Sequence, residues 1–302
     1  MLKIDFLIVG AQKAATTSLR YYLDMHPEIY MQRLKECKFF ILEEHYKKGY
    51  KYLISNWFPD LNSISNCIIG LVDPDIMFFE EALERLRNYI DFSSAKFIFI
   101  LRDPVERAFS HYLMTYRRGL EKLTFEEAIE KENERLSKGG FFEKMHYSYV
   151  SRGFYLKQIE RFLPYVKRSQ MLFLLTEELK QDRINTLKKI FNFLNVSIDF
   201  VPPNINVQYH KATVPKSVTL LRLMKSNHKA KKIITRLLIP SSKIRHFFYD
   251  LIYKFNQTDR ININMTEKAR LKLAKLYKDE NKRLSDFLRI DLSLWWNSMN
   301  IV

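Results

Sequence analysis

Four short apolar runs punctuate the first two thirds of the chain: Phe6–Val9, Cys67–Val72, Phe97–Leu101 and Met171–Leu175. Their near-continuous hydrophobicity, without the alternation of a half-exposed strand, predicts strands buried on both faces of a mainly parallel sheet. Apolar residues recur at helical spacing over Phe79–Tyr89, Val105–Tyr116, Phe125–Leu136, Tyr155–Leu163 and Ile184–Leu194. Strands alternating with helices predict the α/β class, a central sheet flanked by helices on both faces. The alternation stops at "DFVPPNINVQYHKATVPKS", where paired prolines and several asparagines break it. Further on, Met265–Leu288 carries a long helical pattern with Asn264 or Thr266 as its cap, and Trp295 and Trp296 are placed to anchor the C-terminus. The predicted organisation is one domain over residues 1–302: an α/β core (1–204), a basic amphipathic helical segment (205–260) and a helical C-terminal extension (261–302) that packs on the core.

A chain of 302 residues with 47% hydrophobic composition has ample material for a packed core. Cys37 and Cys67 are the only cysteines, too few for a disulfide framework or a cysteine-based zinc site. No apolar run is long enough for a membrane span and no signal peptide precedes the first strand, so the expected location is cytoplasmic. Charge changes the picture more. The chain holds 50 Lys and Arg against 34 Asp and Glu, a net of +16. Between His210 and Arg260 there are twelve Lys and Arg against two Asp. Such an excess favours a polyanionic ligand, an acidic substrate or an anionic membrane surface. Lys225–Arg245 is the expected basic surface, with Ile244, Phe247, Phe248, Leu251, Ile252 and Phe255 at helical spacing beside it; its alternative role is simply to cover the core. Contact at the inner membrane face would be peripheral.

The first chemical signal is "FLIVGAQKAATTSLRYYL", Phe6 to Leu23. The apolar run ends at Gly10, and Leu19, Tyr22 and Leu23 resume at helical spacing, so the stretch predicts strand, tight loop and helix. Loop amides and the unpaired donors of a first helical turn converge there, and the helix dipole favours negative charge. Lys13, Thr16, Thr17 and Ser18 add a cation and three hydroxyls. A Walker A loop would place Gly and Lys where Ala15 and Thr16 stand. The lysine lies three residues earlier, inside the loop.

Two further stretches bear charge at informative places. In "FIFILRDPVERAFSHYL", Asp103 is placed as an N-cap, Pro104 at the first helical position and Glu106 at the third, which fixes Arg102 at a strand end. Arg107 and Ser110 lie three residues apart on that helix. Ligands of open α/β sheets sit outside the carboxyl ends of strands, where Lys13 and Arg102 both fall. Arg102 would otherwise pair only with Asp103 or Glu106. In "RLKECKFFILEEHY", Glu36 stands between Lys35 and Lys38 beside Phe39 and Phe40. It is either a solvated surface acid or a general base, its pKa raised by burial and lowered by the lysines.

Taken in order, "GAQKAATTSL", "KECKFF" and "LRDPVERAFSHY" resemble the sulfotransferases that use 3′-phosphoadenosine 5′-phosphosulfate (PAPS), and among them the carbohydrate branch that includes the heparan sulfate enzymes. The similarity continues through "RGFYLKQIERFLPY", "LLTEELKQD", "TLKKIFNFLNV" and "LYKDENKRLSDFL", leaving out roughly residues 205 to 260. It implies a single sulfotransferase domain with a P-loop-like phosphosulfate-binding loop formed by Gln12, Lys13, Ala14, Ala15, Thr16, Thr17 and Ser18. Lys13 would meet the bridging oxygen, with Thr16, Thr17 and Ser18 on the phosphate. Arg102 and Ser110 would hold the 3′-phosphate, Gly153 and Tyr155 would lie near the donor, and Glu36 would deprotonate the acceptor. Lys13 is expected to supply the charge that magnesium supplies in phosphoryl transfer, so no metal is expected.

Two departures accompany the resemblance. Ala15 occupies a position where the family has glycine, which is tolerable only with a negative φ. "GLVDPDIMF" replaces a more charged family run on the acceptor side, with Asp73 as the candidate substitute; Asp73 and His111 are the reserve bases. The expected acceptor is a carbohydrate, glycolipid or other hydroxyl-bearing molecule. Arg117–Tyr147, with Gly119, Gly139 and Gly140 as hinges, is either an acceptor-side lid or a solvated surface segment. A P-loop nucleotide kinase lacks support without G-K-[ST]. Nucleic acid is not an expected partner, since the basic residues form no known binding module.

Overall fold

The computed structural model describes residues 3–203, 205, 214–215, 257–258 and 263–297. The predicted basic segment, including Lys225–Arg245 and the apolar positions from Ile244 to Phe255, lies outside the described residues apart from Ile205 and two short strand pieces. Those pieces, Val214–Pro215 and Gln257–Thr258, pair antiparallel. The described residues fall into two compact units. The first holds the chain up to Ala108, again from Val150, and finally from Leu273; the second takes in Phe109–Tyr149 and ends at Lys272.

The first unit is built on a parallel sheet of five strands, β1 (Phe6–Gly10), β2 (Ile29–Met31), β3 (Ile68–Val72), β4 (Lys96–Leu101) and β5 (Met171–Leu175), in the spatial order β2-β3-β1-β4-β5. The four strands expected from the apolar runs are present; β2, only three residues long, has no such run. Phe6, Leu7, Ile8 and Val9 of β1 and Phe97 to Leu101 of β4 are all fully buried. Burial of each such side chain contributes about 1.5–3 kcal/mol, and only a sheet covered on both faces can bury consecutive residues this way. Helices flank the sheet, among them Thr16–Asp24, Glu80–Arg87 and Arg183–Leu194.

Connectivity places the chemistry. β1 pairs with β3 on one side, Phe6 opposite Gly70, and with β4 on the other, Phe6 opposite Lys96. The order of the strands therefore reverses at β1, the point at which open parallel sheets form a crevice beyond their carboxyl ends. The loops after β1 and β4 leave side by side, tied by the Ala11 N–H donating to the Ile100 carbonyl at 2.7 Å. At the loop's start Gly10 faces Met77 so closely that a Cβ would stand 2.6 Å from the Met77 sulfur.

Helix Pro104–Arg117 begins as its sequence predicts: Asp103 Oδ1 accepts from the Val105 N–H at 2.8 Å and from that of Glu106 at 3.5 Å. At the C-terminus, Thr266 rather than Asn264 caps helix Glu267–Leu288, its hydroxyl accepting from the Ala269 N–H at 3.2 Å. Trp295 is buried, its ring 6.1 Å from that of Tyr155, while Trp296 is half-buried. In the second unit the expected helix Phe125–Leu136 is two helices, Phe125–Glu130 and Glu132–Lys138, followed by Phe141–Tyr147. A Thr124–Glu127 capping box starts the first of them.

One expectation is overturned. Ala15, which was to need a negative φ, has φ 63° and lies in the left-handed region, as does Lys13 at φ 71°. The chain has to turn from β1 into helix Thr16–Asp24 within a few residues, and the left-handed conformation does so at a steric cost of about 1–2 kcal/mol for a residue bearing a Cβ. Ala15→Gly should therefore raise stability by up to about 1 kcal/mol, the relief of strain exceeding the entropy glycine adds to the unfolded chain. Urea denaturation checks this; a lower midpoint in the variant would contradict the left-handed assignment.

Candidate active site

The loop between β1 and helix Thr16–Asp24 supplies the first component. Left-handed Lys13 and Ala15 flank Ala14, and such alternation turns backbone N–H groups toward a common concavity suited to an anion. Helix Thr16–Asp24 has no side-chain cap at Ala15, so its first-turn donors add to the same positive end. Thr16 is buried, and Thr17 and Ser18 continue the turn. Gln12 Oε1 is buried without a hydrogen-bond partner among the described residues.

Arg102, at the end of β4, reaches across to this loop: its Nη1 donates to the Lys13 carbonyl at 3.3 Å. The guanidinium also meets Glu106 at 3.6 Å, so the simple pairing open from the sequence is present as well. That i,i+4 pair is partly exposed and contributes little. Tyr155, fully buried, donates its hydroxyl to the Arg102 carbonyl at 2.8 Å, and burial pushes its phenol well above the ordinary range. Tyr155 thus acts on the site through the strand end it fixes. Two residues before it, Gly153 lies against Tyr277, where a Cβ would be 2.5 Å from the hydroxyl that donates to Val150. Asp103 is pushed up to about 6, by burial first, with its two backbone donors opposing. Ser110 is half-buried on the same helix as Arg107, within the second unit.

Glu36 belongs to a cluster that only the fold brings together. Gln32 exchanges two 2.9 Å hydrogen bonds with Val72, and the Cys37 N–H donates to the Val72 carbonyl at 2.9 Å, so residues 32–37 are fastened to the end of β3. Phe39 and Phe40 are fully buried behind the cluster, and Trp57 Nε1 donates to the Glu36 carbonyl at 2.9 Å. Lys38 Nζ then lies 2.9 Å from Glu36 and 2.9 Å from Asp73, and also binds Asp75. Asp75 in turn pairs with the buried Arg152 and accepts from Gln12 Nε2 at 3.1 Å.

Electrostatics within the cluster are uneven. Burial, ahead of every other influence, raises Asp73 to about 7, with the carboxylates of Asp75 and Glu36 adding to it and Lys38 opposing. Burial would raise Asp75 too, but Lys38 and Arg152 outweigh it and hold that carboxyl below the usual range. Burial alone would lower Lys38; the three carboxylates hold it well above its usual value instead. Glu36, Asp73 and Asp75 offer oxygens within 4.8 Å of one another, a spacing that fits a metal ion, but the Lys38 ammonium binds all three.

Of the residues singled out by sequence, then, the structure joins the Gln12–Ser18 loop to Arg102 directly and to Glu36 through Lys38 and Asp75. Asp73, a reserve base, is a member of the same cluster. His111 is buried in the second unit against the Tyr149 ring, at 5.0 Å between centroids. Asp75 and Arg152 are not singled out by sequence, and Lys38 enters there only as a neighbour of Glu36. Their only signals are adjacency, Lys38 two residues after Glu36, Asp75 across Pro74 from Asp73, and Arg152 beside Gly153.

The sulfotransferase domain family matches residues 3–278. The chain is 28% identical over 207 residues to the bifunctional heparan sulfate N-deacetylase/N-sulfotransferase 4 of Mus musculus, covering 64% of this chain and 22% of that protein. It is 27% identical over 197 residues to the heparan sulfate glucosamine 3-O-sulfotransferase 3B1 of the same organism, covering 63% of this chain and 45% of that one. The chain thus spans less than half the length of either relative. The crystal structure of a sulfotransferase from Alicyclobacillus acidocaldarius superposes over 98% of this chain and 99% of that chain, with a TM-score of 0.67 and 23% identity, which shows the same fold. No helix among the described residues is long and apolar enough to cross a membrane.

The cluster gives stability a defined pH dependence. With Asp73 raised to about 7, the folded protein holds a proton that the unfolded chain has released, so this group makes stability fall as pH rises from the ordinary carboxylate range to about 7. Asp75, shifted downward, contributes stability that is present throughout that window and is lost only as pH falls below the carboxylate range. The loss of stability between about pH 5 and pH 8, read from urea midpoints, should be smaller in Asp73→Asn than in the parent. An equal or larger loss in the variant would refute the upward shift of Asp73.

Proposed function

The chain belongs to the sulfotransferase domain family, and from that we propose that it moves the sulfuryl group of PAPS to a hydroxyl or amine of a carbohydrate or glycoconjugate acceptor, with Glu36 as general base. It is a PAPS-dependent sulfotransferase. The acceptor class follows the heparan sulfate relatives. The observation that carries the assignment is the junction of the loop after β1 with the end of β4, where the Arg102 guanidinium meets the Lys13 carbonyl at 3.3 Å. Two cationic side chains at one crevice suit a donor with phosphate groups at both its 3′ and 5′ positions, since each phosphate carries about −1.5 to −2 charges.

Each residue's task follows from its position. Backbone donors and hydroxyls from Thr16 to Ser18 grip the 5′-phosphosulfate, and Arg102 takes the 3′-phosphate, aided by Ser110. The donor supplies an activated sulfuryl group whose sulfur–oxygen bond to phosphate breaks as the new bond to the acceptor forms. Lys13 stabilises the charge that appears on the departing oxygen; a preorganised donor of this kind is worth about 3–4 kcal/mol in the transition state. Glu36, partly accessible and held at its backbone by Trp57, takes the proton from the acceptor. Charge is thereby supplied at one end of the reaction and removed as a proton at the other.

Turnover of PAPS should be screened against carbohydrate, glycolipid, small-alcohol and tyrosine-peptide acceptors, and a saccharide should react. With that acceptor, Lys13→Met should lower kcat far more than donor affinity, and Arg102→Ala should chiefly weaken donor binding. Glu36→Gln should retain binding of 3′,5′-bisphosphoadenosine (PAP) while turnover falls by about 10²–10⁴. Equal, small effects of the first two changes would refute the donor assignment, and near-parental turnover in Glu36→Gln would refute the base.

A further inference from the structure

Lys38 is placed unlike an ordinary surface lysine. An ammonium has three N–H donors, and three carboxylates meet this one: Glu36 and Asp73, each at 2.9 Å, and Asp75. Two of the donors have hydrogen-bond acceptors, in Asp73 and Asp75, and the third carboxylate, Glu36, meets the ammonium as an ion pair. The partners differ in access. Asp73 and Asp75 are buried, with 0% and 2% of their side chains exposed, whereas Glu36 retains 32%. The cation thus runs from a fixed, dry anchor to an accessible carboxylate. Behind the anchor, Asp75 is held by the buried Arg152 and accepts from Gln12 of the donor loop.

We propose that Lys38 is the positioning residue of the acceptor half of the site: clamped by Asp73 and Asp75, its ammonium holds the Glu36 carboxylate in one orientation, and Asp75 registers that clamp against the donor loop through Gln12. This inference rests on Glu36 being the base. An unanchored glutamate beside a flexible lysine would sample many rotamers, and each misdirected one removes the base from reach of the acceptor. The anchor removes that freedom.

The charged and titratable groups around the clamp are few. Facing Lys38 are Glu36, Asp73 and Asp75; Arg152 pairs with Asp75, and Arg107 opposes Arg152. The Cys37 thiol is buried, and burial, then Asp73, pushes it well above its ordinary range, so it stays neutral. Among these groups the lysine is the cation in direct contact with Glu36. A substitution that removes it leaves Glu36 without that partner and free to change rotamer.

The test needs no acceptor. Protein labelled with 13C at glutamate, saturated with PAP, is examined by NMR relaxation, and the Glu36 signal is assigned by its absence in Glu36→Gln. In Lys38→Met the order parameter of the Glu36 side chain should fall by about half, and Lys38→Arg should bring it most of the way back. Because Lys38→Met leaves Asp73 without its cation, the double variant Lys38→Met/Asp73→Asn is measured beside it. Removing that buried carboxyl should recover the urea midpoint while the Glu36 side chain stays loose. Glu36 order unchanged in both variants overturns the proposal. So does order that returns to the parental value in the double variant together with stability, because Lys38 would then serve only to neutralise Asp73. Turnover of Glu36→Gln judges the base separately: parental turnover with lost Glu36 order in Lys38→Met would retire the base assignment and leave the clamp standing without that catalytic purpose.

Discussion

Burying Asp73 and Asp75 is the constraint on which the site is organised. A carboxylate taken out of water without a partner is untenable, and removing one member of a buried pair typically costs about 3–5 kcal/mol. Lys38 and Arg152 meet that demand, and each comes from a different part of the chain. In satisfying two aspartates, the protein therefore fastens the segment carrying Glu36, the tip of β3 and the turn before Tyr155 to one another. The same aspartate that most needs cations, Asp75, also receives Gln12 from the loop after β1. Electrostatic necessity and functional placement coincide at a single side chain.

The sheet supplies what the charge cluster does not. β1 lies between β3 and β4, so loops emerging from three adjacent strands open onto one crevice. Continuous apolar sequence in β1 and β4 makes these strands rigid from both faces, and the loops inherit that rigidity at their bases. Beyond Gly10 the backbone turns left-handed at Lys13 and Ala15, as it does elsewhere at Asn66, Asn195 and Arg289. Strain in this loop thus lies where an anion would be gripped, on a support that does not yield.

The strands were legible because parallel strands must be apolar at every position, a pattern hard to mistake over five or six residues. β2 was not, since Ile29–Met31 is too short to form a run and is specified by its ladder with β3. Helix starts at Asp103 and Thr266 followed from local chemistry. The division of Phe125–Leu136 into two helices did not, because both pieces keep helical periodicity across Lys131. Ala15 misled for a different reason: glycine preference predicts the residue a left-handed turn favours, but a surrounding structure stable enough can impose that conformation on alanine. In the site, residues near one another in sequence could be grouped, whereas Arg152 and Asp75, 77 positions apart, could be associated only through the fold. A charge cluster leaves no periodic trace in sequence.

That long separation bears on the order in which the protein becomes competent during synthesis. Lys13 waits for Arg102, 89 residues downstream, and Asp75 waits for Arg152. Parallel strands require crossovers, and contacts between distant segments close late because the loop entropy is lost before the contacts compensate it. While the ribosome is still adding residues beyond β3, Asp73 and Asp75 have Lys38 at hand but not Arg152. The nascent chain would accordingly keep these carboxylates hydrated, and drying of the crevice would coincide with the arrival of the turn that carries Arg152. Vectorial synthesis thus delivers the anion-gripping loop first and the residue that closes its electrostatic circuit only about half-way along the chain, so chains truncated before Arg152 hold the first motifs and none of the assembled site.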